Sequence, residues 1–96
     1  MPNRVIVFHQ SRSCSHCKEY LPRFKKAILP YKGKLDIRSI DLDKADKANQ
    51  DAAVTLKIRS VPTTLVLGNN DKVLKRKESG ISDAEIAKLL KFAAGE

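Results

Sequence analysis

Tryptophan is absent from this chain of 96 residues, methionine occurs once, and aromatic residues make up only 5% of it. No apolar run approaches the roughly 20 residues that a membrane-spanning helix needs. The start of the chain, Met1-Pro2-Asn3-Arg4, carries one charge and is followed by only four apolar residues. That is too little for a secretory signal, so the default expectation is a cytoplasmic location. Acidic residues are scarce, eleven against nineteen Lys and Arg, giving a net charge of +8. Such a surplus raises nucleic acid as a partner. The densest basic groups, Arg23-Lys25-Lys26 and Lys75-Arg76-Lys77, lack the interleaved aromatics of a single-strand groove, and the other basic residues are dispersed. A solvated basic surface is the reading that remains, able to steer acidic protein substrates until salt screens it. Repeats, linkers and low-complexity stretches are also missing.

Cysteine is nearly missing, and both copies fall in one place, Cys14-Ser15-His16-Cys17. A bridge closing so small a loop adds little stability, so a structural staple is not the expected role. In a reducing compartment a lone close pair reads as redox-active or metal-binding. The pair follows the apolar run Val5-Ile6-Val7-Phe8 and precedes a helical pattern. If Cys14 opens that helix, Cys17 lies one turn on and on the same face. Free backbone amides and the helix dipole would then favour a Cys14 thiolate. A zinc site would normally need four ligands, and only His9 and His16 are at hand besides this one pair, so no metal is expected.

The apolar fraction, 42%, suits one small globular domain spanning residues 1–96. A chain this long buries roughly 60–68% of its unfolded surface, enough for one core. Arg4 to Gln10 reads as a buried strand. Cys14 to Leu29 reads as a helix, with Tyr20, Leu21, Phe24 and Ile28 at helical spacing, Pro22 within it, and Pro30 and Gly33 ending it. Leu35 to Leu42 alternates as a second strand. Asp43 to Leu56 carries Ala45, Ala48, Ala52 and Ala53, a small-residue face suited to close packing on a sheet, with Asp43 or Asp46 as the cap. Arg59 to Leu67 and Lys72 to Glu78 form a hairpin about Gly68-Asn69-Asn70-Asp71. Ser82-Asp83-Ala84-Glu85 is a capping box opening a last helix whose stripe is Ile86, Leu89, Leu90 and Ala93. The order is β-α-β-α-β-β-α, an α/β fold with a four-stranded mixed sheet and helices on both faces.

That order, with these residues, resembles the thioredoxin superfamily over nearly the whole chain, Val5 to about Phe92. Cys14 and Cys17 stand where the family carries its active-site cysteines. Lys18 and Pro22 are similar to residues that follow the second cysteine there. Ile40-Asp41-Leu42-Asp43 resembles the ending of a family strand. Ile58-Arg59-Ser60-Val61-Pro62-Thr63 resembles the loop bearing the family's cis-proline, and Gly80 the glycine that leaves room for a substrate chain. The chain departs from thioredoxins at three neighbours of the pair: Ser13 replaces a tryptophan, Ser15-His16 replaces Gly-Pro, and Phe8 replaces a buried aspartate. It is also short, like a glutaredoxin, and Ser79-Gly80-Ile81-Ser82-Asp83 is similar to a glutathione-holding segment.

The resemblance implies a thiol–disulfide oxidoreductase in which Cys14 and Cys17 are catalytic and no cofactor is needed. His16 and Lys18 would tune the thiolate; disulfide isomerases and periplasmic oxidases also carry His before the second cysteine. Ser13, Val61, Pro62, Gly80 and Ile81 would bind the substrate chain. Disulfide-containing proteins would be substrates and a thioredoxin reductase or glutathione the electron donor, with the protein acting as a monomer. A glutaredoxin, a metal-binding protein and a docking module on the same fold are the alternatives.

Overall fold

The computed structural model describes residues 3–96; Met1 and Pro2, where the reading for a signal segment begins, lie outside the described residues. Arg4–His9 forms β1, and every residue after Arg4 is buried. A strand flanked on both sides and covered on both faces has no solvent face, which is why this run does not alternate. Four strands line up in the order β2-β1-β3-β4, with β2 spanning Asp36–Asp41, β3 Thr63–Leu67 and β4 Val73–Lys77. β2 runs parallel to β1, with Arg4 opposite Asp36 and His9 opposite Asp41. β3 runs antiparallel to β1, and β4 antiparallel to β3. With α1 (Ser15–Ala27), α2 (Lys47–Thr55) and α3 (Asp83–Ala94), the order and the mixed sheet agree with the sequence expectation.

The two faces of β1 feed two apolar clusters, as side-chain alternation requires. Val5 and Val7 pack with Val66, with Tyr20 and Phe24 of α1, and with Ile86, Leu89 and Leu90 of α3. Ile6 and Phe8 pack with Leu65 and Leu67 on the face that α2 covers. The capping box of α3 is present, with Ser82 Oγ accepting the Glu85 amide at 3.2 Å. Pro22 sits inside α1, where its missing N–H leaves the Lys18 carbonyl without a helical donor. Residues Leu29–Tyr31 tighten into a 3-10 turn beyond the helix.

Three expectations need correction. The second helix begins at Lys47, capped by Asp46, and not at Asp43. Asp43 is unavailable as a cap because its carboxylate accepts the Arg12 amide. The third strand begins at Thr63, leaving Arg59 to Pro62 as a loop. Nor does the alanine face of α2 pack tightly throughout: none of its residues is fully buried, Ala53 packs against the sheet cluster, and a recess opens beside Ala48 and Ala52.

Candidate active site

Cys14 caps α1. Its backbone is extended, and its sulfur accepts the Cys17 amide at 3.0 Å, the place usually taken by a Ser, Thr or Asp oxygen. The two sulfurs are bonded as a disulfide. Cys14 is 7% exposed and Cys17 1%, so an incoming reactant reaches Cys14 first. When the pair is reduced, the same amide and the positive end of α1 stabilise a thiolate on Cys14.

The loop ahead of Cys14 is held by its main chain. The Ser11 amide donates to Asp41 Oδ1 at 3.1 Å and the Arg12 amide to Asp43 Oδ2 at 2.8 Å. Asp41 also accepts the Asp43 amide at 3.0 Å. Hydrogen bonding from the Ser11 side chain, then from the Asp43 and Ser11 amides, holds the Asp41 carboxyl below the usual carboxylate range. Asp41 ends β2 and Asp43 lies in the turn that follows, and the parallel pairing of β1 with β2 brings both to the loop.

A second segment meets the sulfur from β3. The Val61–Pro62 peptide is cis, and the Val61 carbonyl oxygen lies 3.8 Å from Cys14 Sγ. Thr63 Oγ1 donates to the Ser60 carbonyl at 2.7 Å within this segment. Arg59 ties it to the end of β4, with Nη2 2.9 Å from Glu78 Oε1. A groove of about 310 Å³ runs between His16 and Glu19 on α1, Val61 and Pro62, and Ser79 and Gly80. Glu19 and Glu78 both border it. Hydrogen bonding from Arg23 and Arg59 respectively holds their carboxyls below the usual range.

Of the residues singled out by sequence, His16, Val61, Pro62 and Gly80 line this groove, while the Cys14–Cys17 disulfide meets it through the Val61 carbonyl beside Cys14. Ser13 and Lys18 are exposed nearby but do not line it. Ile81 does not offer its side chain to a substrate. It is 8% exposed and packs in the core with Tyr20 and Ile86. Gly80 is not forced by packing: a Cβ there would meet Tyr20 at 3.6 Å, an ordinary contact.

The sequence reading gave no role to Arg23. Its Nη1 donates to the Ile81 carbonyl at 2.8 Å and to Asp83 Oδ1 at 2.9 Å, while its Nε binds Glu19 at 2.6 Å. One guanidinium thus pins the link between β4 and α3 to α1, beside Gly80. The Glu19–Arg23 spacing of four was the available signal. Asp83 is therefore engaged by Arg23 as well as placed in the first turn of α3. His9, weighed as a metal ligand, is buried with Nε2 3.2 Å from Ser39 Oγ and no partner on Nδ1. Among the described residues no three His, Cys, Asp or Glu side chains cluster as metal ligands, and no helix is long and apolar enough to cross a membrane.

Residues 2–92 match the sequence profile of the Thioredoxin family. The chain belongs to the thioredoxin family. Mitochondrial thioredoxins of Mus musculus and Rattus norvegicus are 31% identical to it over 71 residues, 74% of this chain. The match takes in 40% of those proteins, so this thioredoxin-family chain spans less than half the length of the curated relatives it matches. A solved thioredoxin-2 of a malaria parasite, described as a component of protein secretion machinery, is 28% identical. It superposes with a TM-score of 0.72 over 96% of this chain and 85% of its own. A thioredoxin of Malassezia sympodialis shares the fold at a TM-score of 0.79 and 20% identity, over 97% of this chain and 76% of its own.

Proposed function

We propose that residues 1–96 form one domain that exchanges disulfides with protein substrates through the Cys14/Cys17 pair. The observation that carries this reading is the Cys14–Cys17 disulfide at the start of α1, with its more exposed sulfur facing the Val61 carbonyl at the mouth of the groove. In the reducing direction the Cys14 thiolate attacks one sulfur of a substrate disulfide. A mixed disulfide forms and the other substrate sulfur leaves as a thiolate. The Cys17 thiolate then attacks Cys14 Sγ. The Cys14–Cys17 bond forms, and the second substrate sulfur leaves with the electron pair. Two electrons and two protons have passed to the substrate. A reductase of the thioredoxin type or glutathione restores the dithiol, and no cofactor takes part.

Ser13, Val61, Pro62 and Gly80 serve the substrate chain in this reading, and Ile81 contributes only its backbone. An extended segment lying in the groove could pair with the Val61 main chain. His16 and Lys18 favour the thiolate. Phe8 is fully buried in an apolar cluster and offers no proton acceptor, so the Cys17 proton goes to water or His16. A slower reductase than an ordinary thioredoxin follows. The setting we assign is cytoplasmic, and the acting species a monomer.

The test is reduction of insulin with dithiothreitol as electron source. Wild type accelerates it, Cys14→Ser does not, and Cys17→Ser accumulates a mixed disulfide visible by mass spectrometry. A folded wild-type protein without activity would sink the reading. Stoichiometric turnover of a glutathione mixed disulfide would move it to the glutaredoxin class.

A further inference from the structure

The recess between α2 and the sheet lies toward the N-terminal end of β1, whereas Cys14 follows its C-terminal end. It holds about 730 Å³, within the range of ligand cavities. Its floor follows from the strand register. Arg38, Ile6, Leu65 and Arg76 stand opposite one another across β2, β1, β3 and β4. One row therefore places a guanidinium at each edge and apolar side chains between. The adjacent row adds Arg4, Leu67 and Val73 on the same face. Above it, α2 contributes Ala48 and Ala52, which are too small to fill the space.

Arg76 decides the chemistry. Its Nη2 donates to the Leu56 carbonyl at 2.6 Å, propping up the C-terminal end of α2. Its Nη1 is buried and has no partner among the described residues. A buried guanidinium N–H without an acceptor is costly, and a ligand oxyanion removes that cost once the guanidinium turns its Nη1 edge into the recess. Arg4, Arg38 and Lys57 also border the recess, as do two carboxylates that are already paired, Asp71 with Arg4 and Asp51 with Lys47. The floor carries aliphatic side chains, Ile6, Ile40, Leu67 and Val73, and no aromatic ring on which a base could stack.

We propose that this recess binds a small amphiphilic carboxylate, its chain on the aliphatic floor and its carboxylate on Arg76. The site is separate from the disulfide exchange site and does not depend on it. Its occupant adds packing beneath Ala48 and Ala52 to that which Ala53 and Leu56 already make with the sheet.

Decanoate, kept below the concentration at which it forms micelles, is the probe, and the full chain labelled with ¹⁵N is the target. Saturable amide shifts are expected at Ile6, Ile40, Ala52 and Leu67, with the amides of Cys14 and Gly80 unmoved. Decanol, the same chain without the charge, should bind about tenfold more weakly, as should decanoate to Arg76→Met. Because Arg76→Met also removes the bond to Leu56, Ala52→Phe is the second variant. It keeps Arg76, fills the recess, and should abolish the shifts while circular dichroism stays unchanged. Unsaturable shifts scattered over surface lysines, equal affinity for decanol, or wild-type binding by Ala52→Phe would each overturn the proposal.

Discussion

The backbone amide of Cys17 donates to the sulfur of Cys14 across 3.0 Å, one helical turn against its own direction. That bond is charge-assisted whenever Cys14 is a thiolate and weaker when it is a thiol. The main chain therefore biases the sulfur before any side chain acts. His16 stands on the rim of the groove, and in the proposed function it adds to that bias. In His16→Ser the pH at which Cys14 is half-reactive toward iodoacetamide should rise, by about one unit at most. An unmoved midpoint would leave the amide and the helix dipole as the whole cause.

Gly80 is the position at which folding and the proposed substrate binding can be told apart. A methyl group there makes only ordinary contact with Tyr20. Gly80→Ala should keep its stability within about 0.5 kcal/mol of wild type in urea. Its rate with a folded protein disulfide should fall several-fold, while its rate with a small aromatic disulfide stays the same. Equal losses on both substrates would show that the groove at Gly80 takes no part in recognition.

His9 contributes a loss of stability just on the acid side of neutrality. Burial pushes its imidazole below the ordinary value of 6.5; Asp41 and Asp43 oppose that shift and Lys25 adds to it. The unfolded chain therefore takes up a proton near pH 6.5 that the folded chain refuses until lower pH. Stability from this residue is complete above pH 6.5 and declines as pH falls below it. Thermal unfolding of His9→Asn between pH 7.5 and 5 should show a flatter decline than wild type. Parallel curves would assign the acid limb to other groups.

Tyr20 joins helix to sheet by a polar bond in an apolar setting. Its hydroxyl lies 2.9 Å from Thr64 Oγ1, both residues being fully buried. Burial raises the tyrosine above its ordinary range, so it stays a neutral phenol in the physiological range. Tyr20→Phe strands the threonine hydroxyl and should cost about 1–3 kcal/mol in urea unfolding. Insulin reduction per folded molecule should not change. A loss of activity larger than the unfolded fraction explains would give Tyr20 a part in the chemistry.

The elements whose signals are local were legible in the residues. The run Val5 to Phe8 could only be a covered strand, and Ser82 with Glu85 marked the start of α3 without help from the rest of the chain. Cys14 as the opening of α1 is suggested by the apolar run ahead of the pair and the helical pattern behind it. What escaped depends on partners far along the chain. Asp43 looks like a helix cap until Arg12 claims its carboxylate, 31 positions away. Arg23 looks like one more surface charge until the Ile81 carbonyl arrives beside it, 58 positions on. Ile81 follows a glycine at the groove, but the turn into α3 directs its side chain inward. The alanines of α2 suggest close contact along the whole helix, but only Ala53 packs on the sheet cluster while Ala48 and Ala52 border the recess.

The loop that presents Cys14 takes its shape from two carboxylates, Asp41 ending the edge strand β2 and Asp43 in the turn after it, and Arg12 is held there by its amide. Any residue but proline brings an amide. The Arg12 side chain, and that of Ser13 beside the sulfur, are accordingly spectators of their own geometry. They can be exchanged for bulky, acidic or aromatic groups without moving the cysteine. A family that keeps the two aspartates can thus revise what its reactive sulfur meets while leaving where it stands untouched.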